Sequence, residues 1–129
     1  MGYRNFNTWL GDPLRALQMK VILQEIKQKN LLENTIITGN YLKENLLSFS
    51  KQYPNFIQNV RGIGTLLAFD CNTISDRDQL VSTMRNNGIQ TSGCGTRTIR
   101  LRPMLIFQPK HAAIYLDILE NTIKQLTKK

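Results

Sequence analysis

Arg100 and Arg102 stand two residues apart at the end of Gly93-Cys94-Gly95-Thr96-Arg97-Thr98-Ile99-Arg100-Leu101-Arg102-Pro103. Ile99 and Leu101 alternate with Thr98, Arg100 and Arg102, which is the period of a strand with one apolar face. That period puts both guanidiniums on one side, roughly 6.5–7 Å apart by strand rise. Each is permanently charged, and its planar fork suits a carboxylate or a phosphate. The chemistry on offer is anion capture. A solvated or salt-bridged strand face carries the same pattern, but Pro103 cannot donate to a ladder and so places the arginines at a strand end, where sites tend to be built.

Other reactive groups are few. His111 is the only histidine, and its place in the first turn of a surface helix suits a structural or solvated role. Cys71 and Cys94 form no CxxC pair, so the sequence indicates neither a zinc site nor a disulfide framework. Cys94, between two glycines, is either a small turn residue or a reactive thiol. No HExxH, GxSxG, P-loop or paired-carboxylate arrangement occurs. The chain therefore offers binding chemistry without reaction chemistry.

The 129 residues make one domain's worth of chain, with 41% hydrophobic and 20% charged residues, ordinary for a globular protein. Net charge is +8, which invites a nucleic-acid reading. The basic residues are scattered, however, and the one tight group, Arg97, Arg100 and Arg102, has no aromatic residue among it for base stacking. No apolar run approaches the roughly 18 residues of a membrane span, and no targeting segment is visible. The expectation is neither a nucleic-acid nor a membrane partner.

The positioning elements follow from pattern. Asp12-Pro13 reads as an N-cap and first helical residue, opening a helix to about Gln28. Its wide apolar arc through Leu14, Leu17, Val21, Ile22 and Ile26 calls for burial on more than one side. A second helix runs from Leu31 or Leu32 to about Tyr53, with Leu32, Ile36, Gly39, Leu42, Leu46 and Phe49 as its stripe and Pro54 as its stop. The helix pair is expected to pack antiparallel. From Phe56 to Phe69 the period shortens to two, with Gly62 and Gly64 marking a bulge or bend between strand pieces. Ser75-Asp76-Arg77-Asp78 opens a helix that stops at Asn86-Asn87-Gly88. Ile89–Ser92 then reads as a strand, Gly93-Cys94-Gly95 as a hairpin turn, Thr98–Arg102 as a strand, and Pro109 onward as the last helix. The fold class is α+β, with helices packed on one face of a small, mainly antiparallel sheet.

Several stretches, taken in order, carry a resemblance: Phe6-Asn7-Thr8-Trp9-Leu10-Gly11-Asp12-Pro13, Tyr53-Pro54, Val60-Arg61-Gly62-Ile63-Gly64-Thr65, Gly93-Cys94-Gly95 and Ile99-Arg100-Leu101-Arg102-Pro103. Together they resemble the C-terminal part of the class III, pyridoxal-phosphate-dependent aminotransferases, and within that class the 4-aminobutyrate enzymes. The resemblance implies the small C-terminal domain of a fold-type I enzyme over residues 31–129, preceded over residues 1–30 by a connecting segment and a helix from the large domain. It implies that Arg100 holds the α-carboxylate of glutamate or 2-oxoglutarate. Thr8 would reach the phosphate of pyridoxal phosphate held by the partner subunit, and Arg102, Gly93 and Gly95 would shape the same pocket. It further implies a homodimer of the mitochondrial matrix acting on amino-acid and 2-oxo-acid substrates.

The family's Schiff-base lysine lies upstream, as do the cysteines proposed to hold its iron–sulfur cluster, and nothing here matches either. Lys20, Lys43 and Lys110 fall on solvated helix faces. The chain alone is thus expected not to transaminate. Two other readings stand beside this one: a non-catalytic module that docks on a full-length aminotransferase subunit through the apolar faces of its first helices, and, more weakly, a basic nucleic-acid-binding domain.

Overall fold

The structure is a computed structural model that describes Thr8, Trp9 and residues 11–128. Phe6, Asn7 and Leu10 of the opening motif and the terminal Lys129 lie outside the described residues. The chain forms two compact units, residues 1–32 and 33–129.

The first unit is a capped helix, α1 (Pro13–Gln28). The carboxylate of Asp12 accepts from the Leu14 backbone N–H at 3.0 Å, and Pro13 at the first helical position needs no partner for a missing donor. Arg15 leans back over the Trp9 ring, 4.5 Å from its centroid. No residue of α1 is buried. The expected two-sided burial of its apolar arc is therefore not met. Leu14, Leu17, Val21 and Ile22 remain about half exposed, because a single helix has no second surface of its own against which to fold that arc.

Asn30, in the left-handed region at φ 47, breaks the chain before α2 (Leu31–Gln52). The boundary between the units falls in the first turn of this helix. The buried stripe of α2 is rotated from the expected one: Thr38, Gly39, Leu42 and Leu46 are inside, while Ile36 is half exposed. Gly39 sets that rotation, since a Cβ there would overlap the backbone of Gly64. Helix and hairpin touch backbone to backbone.

That hairpin pairs β1 (Gln58–Ile63) with β2 (Leu66–Asp70), and its turn contains Gly64 at φ 52. The bulge lies at the other end of β1, where the register shifts between Gln58 and Arg61 and Asn59 has φ 49. Helix α3 (Ile74–Asn86) is capped two residues earlier than Ser75-Asp76 suggested. Thr73 is its N-cap, and a capping box links the Thr73 hydroxyl and the Asp76 carboxylate to each other's backbone N–H at 3.1 and 3.0 Å.

Strand β3 covers Ser92–Cys94 and strand β4 Thr98–Leu101. The turn is thus Gly95-Thr96-Arg97, and Gly93-Cys94 belongs to the strand, as Ile89–Gln90 do not. Gly95 alone of these glycines needs a positive φ, at 56. Gly93 serves a different end: the Arg77 side chain lies where its Cβ would be.

The sheet order is β1-β2-β4-β3, antiparallel throughout. Leu67, Phe69, Ile99 and Leu101 point to one face, where they join Leu42 and Leu46 of α2, Leu80 and Met84 of α3, and Leu116, Leu119 and Ile123 of α4 (Pro109–Thr127) in one core. Helices cover that face, so the α+β class holds. The loop between β4 and α4 is fixed to α2 by Asn34, whose side-chain amide donates to the Leu105 and Phe107 carbonyls at 2.8 Å each.

Candidate functional site

The uncovered face of the sheet is read from the register. Arg61 of β1 lies opposite Ala68 of β2, Ala68 opposite Arg100 of β4, and Arg100 opposite Ser92 of β3. Directly opposed residues share a face, so these four form a row across all four strands. In the adjacent row Asp70 faces Thr98, which faces Cys94. Ala68 has no side chain beyond a methyl group, which leaves space above the sheet between the two arginines.

Arg61 uses that space. Its guanidinium crosses β2 to reach the Asp70 carboxylate at 2.9 Å and the Thr98 hydroxyl at 3.3 Å. Asp70 also accepts from the Thr98 hydroxyl at 2.6 Å and from the Asn59 side-chain amide at 3.0 Å. Burial by itself would raise the Asp70 carboxyl. The hydrogen bonds from Thr98, Arg61 and Asn59 and the Arg61 charge outweigh it and hold the group at about 2. Folding therefore lowers this pKa from its ordinary 3.8, so Asp70 stabilises the fold fully above that value and loses the contribution as pH falls through about 2. Asp70→Asn is expected to remove about 2 kcal/mol of stability at neutral pH and to flatten the acid limb of the unfolding profile between pH 4 and 2. Denaturant melts of both proteins across that range measure the difference.

The Arg100 side chain, by contrast, is exposed and makes no hydrogen bond or ion pair among the described residues. The strand fixes the Arg100 backbone through pairing on both sides, to Ala68 and to Ser92. Arg102, immediately past β4, is likewise exposed and unpaired among the described residues.

Both arginines line a cleft of about 500 Å³ that opens at the β3 edge. Ser92, Gly93 and Pro103 line it on the sheet side, and Phe107, His111 and Tyr115 on the side of α4. His111 accepts from the Gln108 backbone N–H through Nδ1 at 3.0 Å and lies against Phe107 with ring centroids 5.6 Å apart. Nδ1 of His111 is thus taken up in the cap of α4. The Tyr115 hydroxyl is buried with no well-formed hydrogen bond, and burial raises its pKa.

Of the residues singled out from sequence, Arg100, Arg102 and Gly93 come together at this cleft. Gly95 is in the adjoining turn and not in its lining; its carbonyl accepts weakly from Arg77 at 3.5 Å. Thr8 is exposed in a turn of the first unit. Ser92 and the pair Arg61–Asp70 were not singled out from sequence, whereas His111, read there as structural or solvated, caps α4 and also lines the cleft. His111 carried no signal beyond its type, whereas Arg61 and Asp70 become visible only once the strand register is known. Burial pushes the Cys71 thiol up to about 12, which removes it as a nucleophile. No group of His, Cys, Asp or Glu among the described residues forms a metal site, and no helix among them is long and apolar enough to cross a membrane.

A sequence model of the aminotransferase class-III family matches residues 3–123. Over 126 residues, 98% of this chain, it is 51% identical to a 4-aminobutyrate aminotransferase of Dictyostelium discoideum, and covers 26% of that protein. It is 41% identical over 121 residues, 94% of its length, to the human protein named 4-aminobutyrate aminotransferase, mitochondrial, and covers 24% of it. Among solved structures, a lysine aminotransferase from M. tuberculosis superposes with a TM-score of 0.87 at 24% identity over 95% of this chain and 28% of its own. An acetylornithine aminotransferase from Elizabethkingia anophelis gives 0.88 at 24% identity, over 97% of this chain and 33% of that one. These two likenesses speak for the fold. The chain spans about a quarter of the length of the curated relatives it matches.

Proposed function

The chain belongs to the class-III aminotransferases, and from that premise we propose that it is the C-terminal portion of a 4-aminobutyrate:2-oxoglutarate aminotransferase. The observation that carries this reading is Arg100: a guanidinium held on a paired strand, on the open face of the sheet, with no partner among the described residues. Such a group binds a carboxylate bidentately, and the substrates of this reaction are carboxylates. Identity of 41–51% to relatives named 4-aminobutyrate aminotransferase supports the choice of substrate class.

In this reading Arg100 grips the α-carboxylate of glutamate or 2-oxoglutarate, and Arg102 adds positive potential at the same cleft. Gly93 keeps β3 low against Arg77 beside that cleft, and Gly95 turns the chain into β4. The exposed Thr8 hydroxyl donates to the cofactor phosphate of the partner subunit. Residues 1–30 connect to the large domain, residues 31–129 are the small domain, and the unburied apolar arc of α1 is the surface that meets the rest of a homodimeric enzyme. The mitochondrial matrix is its compartment, in line with the names of its mammalian relatives.

Pyridoxal phosphate, when bound, supplies the carbonyl carbon that takes up and returns the amino group. The described residues fit only its anionic surroundings. None of the residues lining the cleft is a lysine, so this portion binds and orients while covalent attachment of the cofactor belongs to the remainder of the enzyme. Two experiments test the proposal. Borohydride reduction of the isolated chain with pyridoxal phosphate, followed by peptide mapping, is expected to trap no lysine stoichiometrically; a single fully labelled lysine would overturn the division of labour. In the complete enzyme, substitution of Arg100 is expected to impair the half-reaction with 2-oxoglutarate specifically.

A further inference from the structure

Asn87-Gly88 closes α3, and no other asparagine of the chain is followed by glycine. Gly88 has φ 90, the left-handed conformation that this kind of helix stop requires. Its N–H donates to the Arg85 carbonyl at 3.0 Å, and the N–H of Ile89 donates to the Met84 carbonyl at 2.9 Å. Together these make the paired closure of a Schellman motif. The cap selects glycine for its backbone, and the same choice puts a chemically weak joint in the chain. A glycine nitrogen has no side chain beside it to hinder its approach to the preceding asparagine amide.

Such a joint reacts without an enzyme. The Gly88 backbone nitrogen attacks Cγ of Asn87 and gives up its proton, the bond from Cγ to the side-chain nitrogen breaks, and ammonia leaves. The five-membered succinimide then takes up water. Opening on the side-chain side yields aspartate at position 87. Opening on the main-chain side yields isoaspartate, whose main chain runs through Cγ and is one atom longer.

Three contacts oppose the attack in the folded chain. The Gly88 N–H is held by Arg85 and the Ile89 N–H by Met84, while the Asn87 side-chain amide donates to the Thr122 hydroxyl of α4 at 2.9 Å. Thr122 is fully buried, so the anchor is fixed. We infer that Asn87 is a latent site of spontaneous deamidation, kept silent by the α3 cap and by its bond to Thr122. Every partner in this arrangement belongs to the chain itself, and the inference is independent of the role proposed for Arg100. Aspartate at position 87 can still accept from the Thr122 hydroxyl and is the mild product. Isoaspartate lengthens the connection from α3 into Ile89, Gln90, Thr91 and Ser92, which line the cleft, and is the damaging one.

The test follows deamidation of the full 129-residue chain at neutral pH by peptide mapping, with the aspartyl and isoaspartyl peptides separated before mass spectrometry. In urea above the unfolding midpoint Asn87 is expected to convert far faster than Asn86, whose neighbour is not glycine. In native buffer the Asn87 rate is expected to be about 100-fold lower, the scale of the three hydrogen bonds that must open. Thr122→Val, which removes the hydroxyl with little change in volume, is expected to raise the native rate about tenfold, the scale of one hydrogen bond. Thr122→Ser is expected to stay near the wild-type rate. In the valine variant amide exchange at Gly88 and Ile89 is expected to quicken while β2 and β4 remain protected, which a general loosening would not produce. No conversion at Asn87 in urea overturns the site, and a native rate equal to that in urea overturns the protection. A folded valine variant that deamidates at the wild-type rate removes Thr122 from it. If Thr122→Val does not fold, the wild-type comparison of native buffer with urea still decides.

Discussion

Arg100→Gln in the complete enzyme is expected to lower kcat/KM for 2-oxoglutarate by about 100-fold, with the 4-aminobutyrate half-reaction changed far less. The magnitude follows from what is lost. A bidentate guanidinium–carboxylate contact comprises two charge-assisted hydrogen bonds, each worth about 1.5–3 kcal/mol, and glutamine replaces at most one of them with a neutral bond. A net loss near 3 kcal/mol corresponds to roughly two orders of magnitude in rate or affinity. Arg100→Lys keeps the charge without the fork and is expected to fall between, at about tenfold. Among the described residues Arg100 has no side-chain partner, so its removal leaves none of their carboxylates unpaired and should not disturb the fold of this portion. Equal thermal stability of the variant, together with separate stopped-flow traces of the two half-reactions, makes the comparison. Unchanged kinetics with 2-oxoglutarate would take Arg100 out of the proposed role.

The second large effect concerns stability. Gly39→Ala is expected to cost about 2–3 kcal/mol, seen as a fall of roughly 10 °C in the thermal midpoint. Helix propensity alone argues the reverse, since alanine is favoured over glycine in a helix interior by up to about 1 kcal/mol. Contact decides the sign: the added methyl group falls on the backbone of Gly64, which cannot rotate away as a side chain would. Gly64 itself has φ 52 in the β1–β2 turn, so the turn has little freedom to retreat. A midpoint that rises on this substitution would show that the helix and the hairpin are not in backbone contact.

How far sequence could lead depended on the range of the cause. Asp12 with Pro13, and Pro109, announce helix starts through interactions within a single turn, and both were legible. So was the alternation that sends Ile99 and Leu101 inward and Arg100 outward. The turn near Gly95 was misplaced because glycine has two uses: Gly95 needs a positive φ, whereas Gly93 makes room for Arg77, a residue sixteen positions earlier in the chain. Thr73 was overlooked as a cap because Ser75 and Asp76 looked equally suitable, and only the reciprocal hydrogen bonds distinguish them. The Arg61–Asp70–Thr98 cluster was out of reach for a deeper reason. It joins three strands, and the irregularity at Asn59 interrupts simple alternation along β1 just before Arg61. The unburied arc of α1 shows the opposite limit: its apolar spacing was read correctly, but spacing says that a surface is needed and not where that surface is.

The strand order has a consequence for how the chain acquires its structure. Strand β2 lies between β1, its neighbour in sequence, and β4, which arrives only after α3 and β3 have been made. Until then the β4 edge of β2 is open and Leu67 and Phe69 have no strand beside them on that side, the exposure that promotes wrong pairing during synthesis. The closing contacts come later still, for the two carbonyls that Asn34 holds are 71 and 73 residues away. Non-local closure of this kind slows folding. Ribosomal products that stop before β4 should therefore be insoluble rather than merely inactive, and productive folding of this portion should wait for nearly the whole of its length.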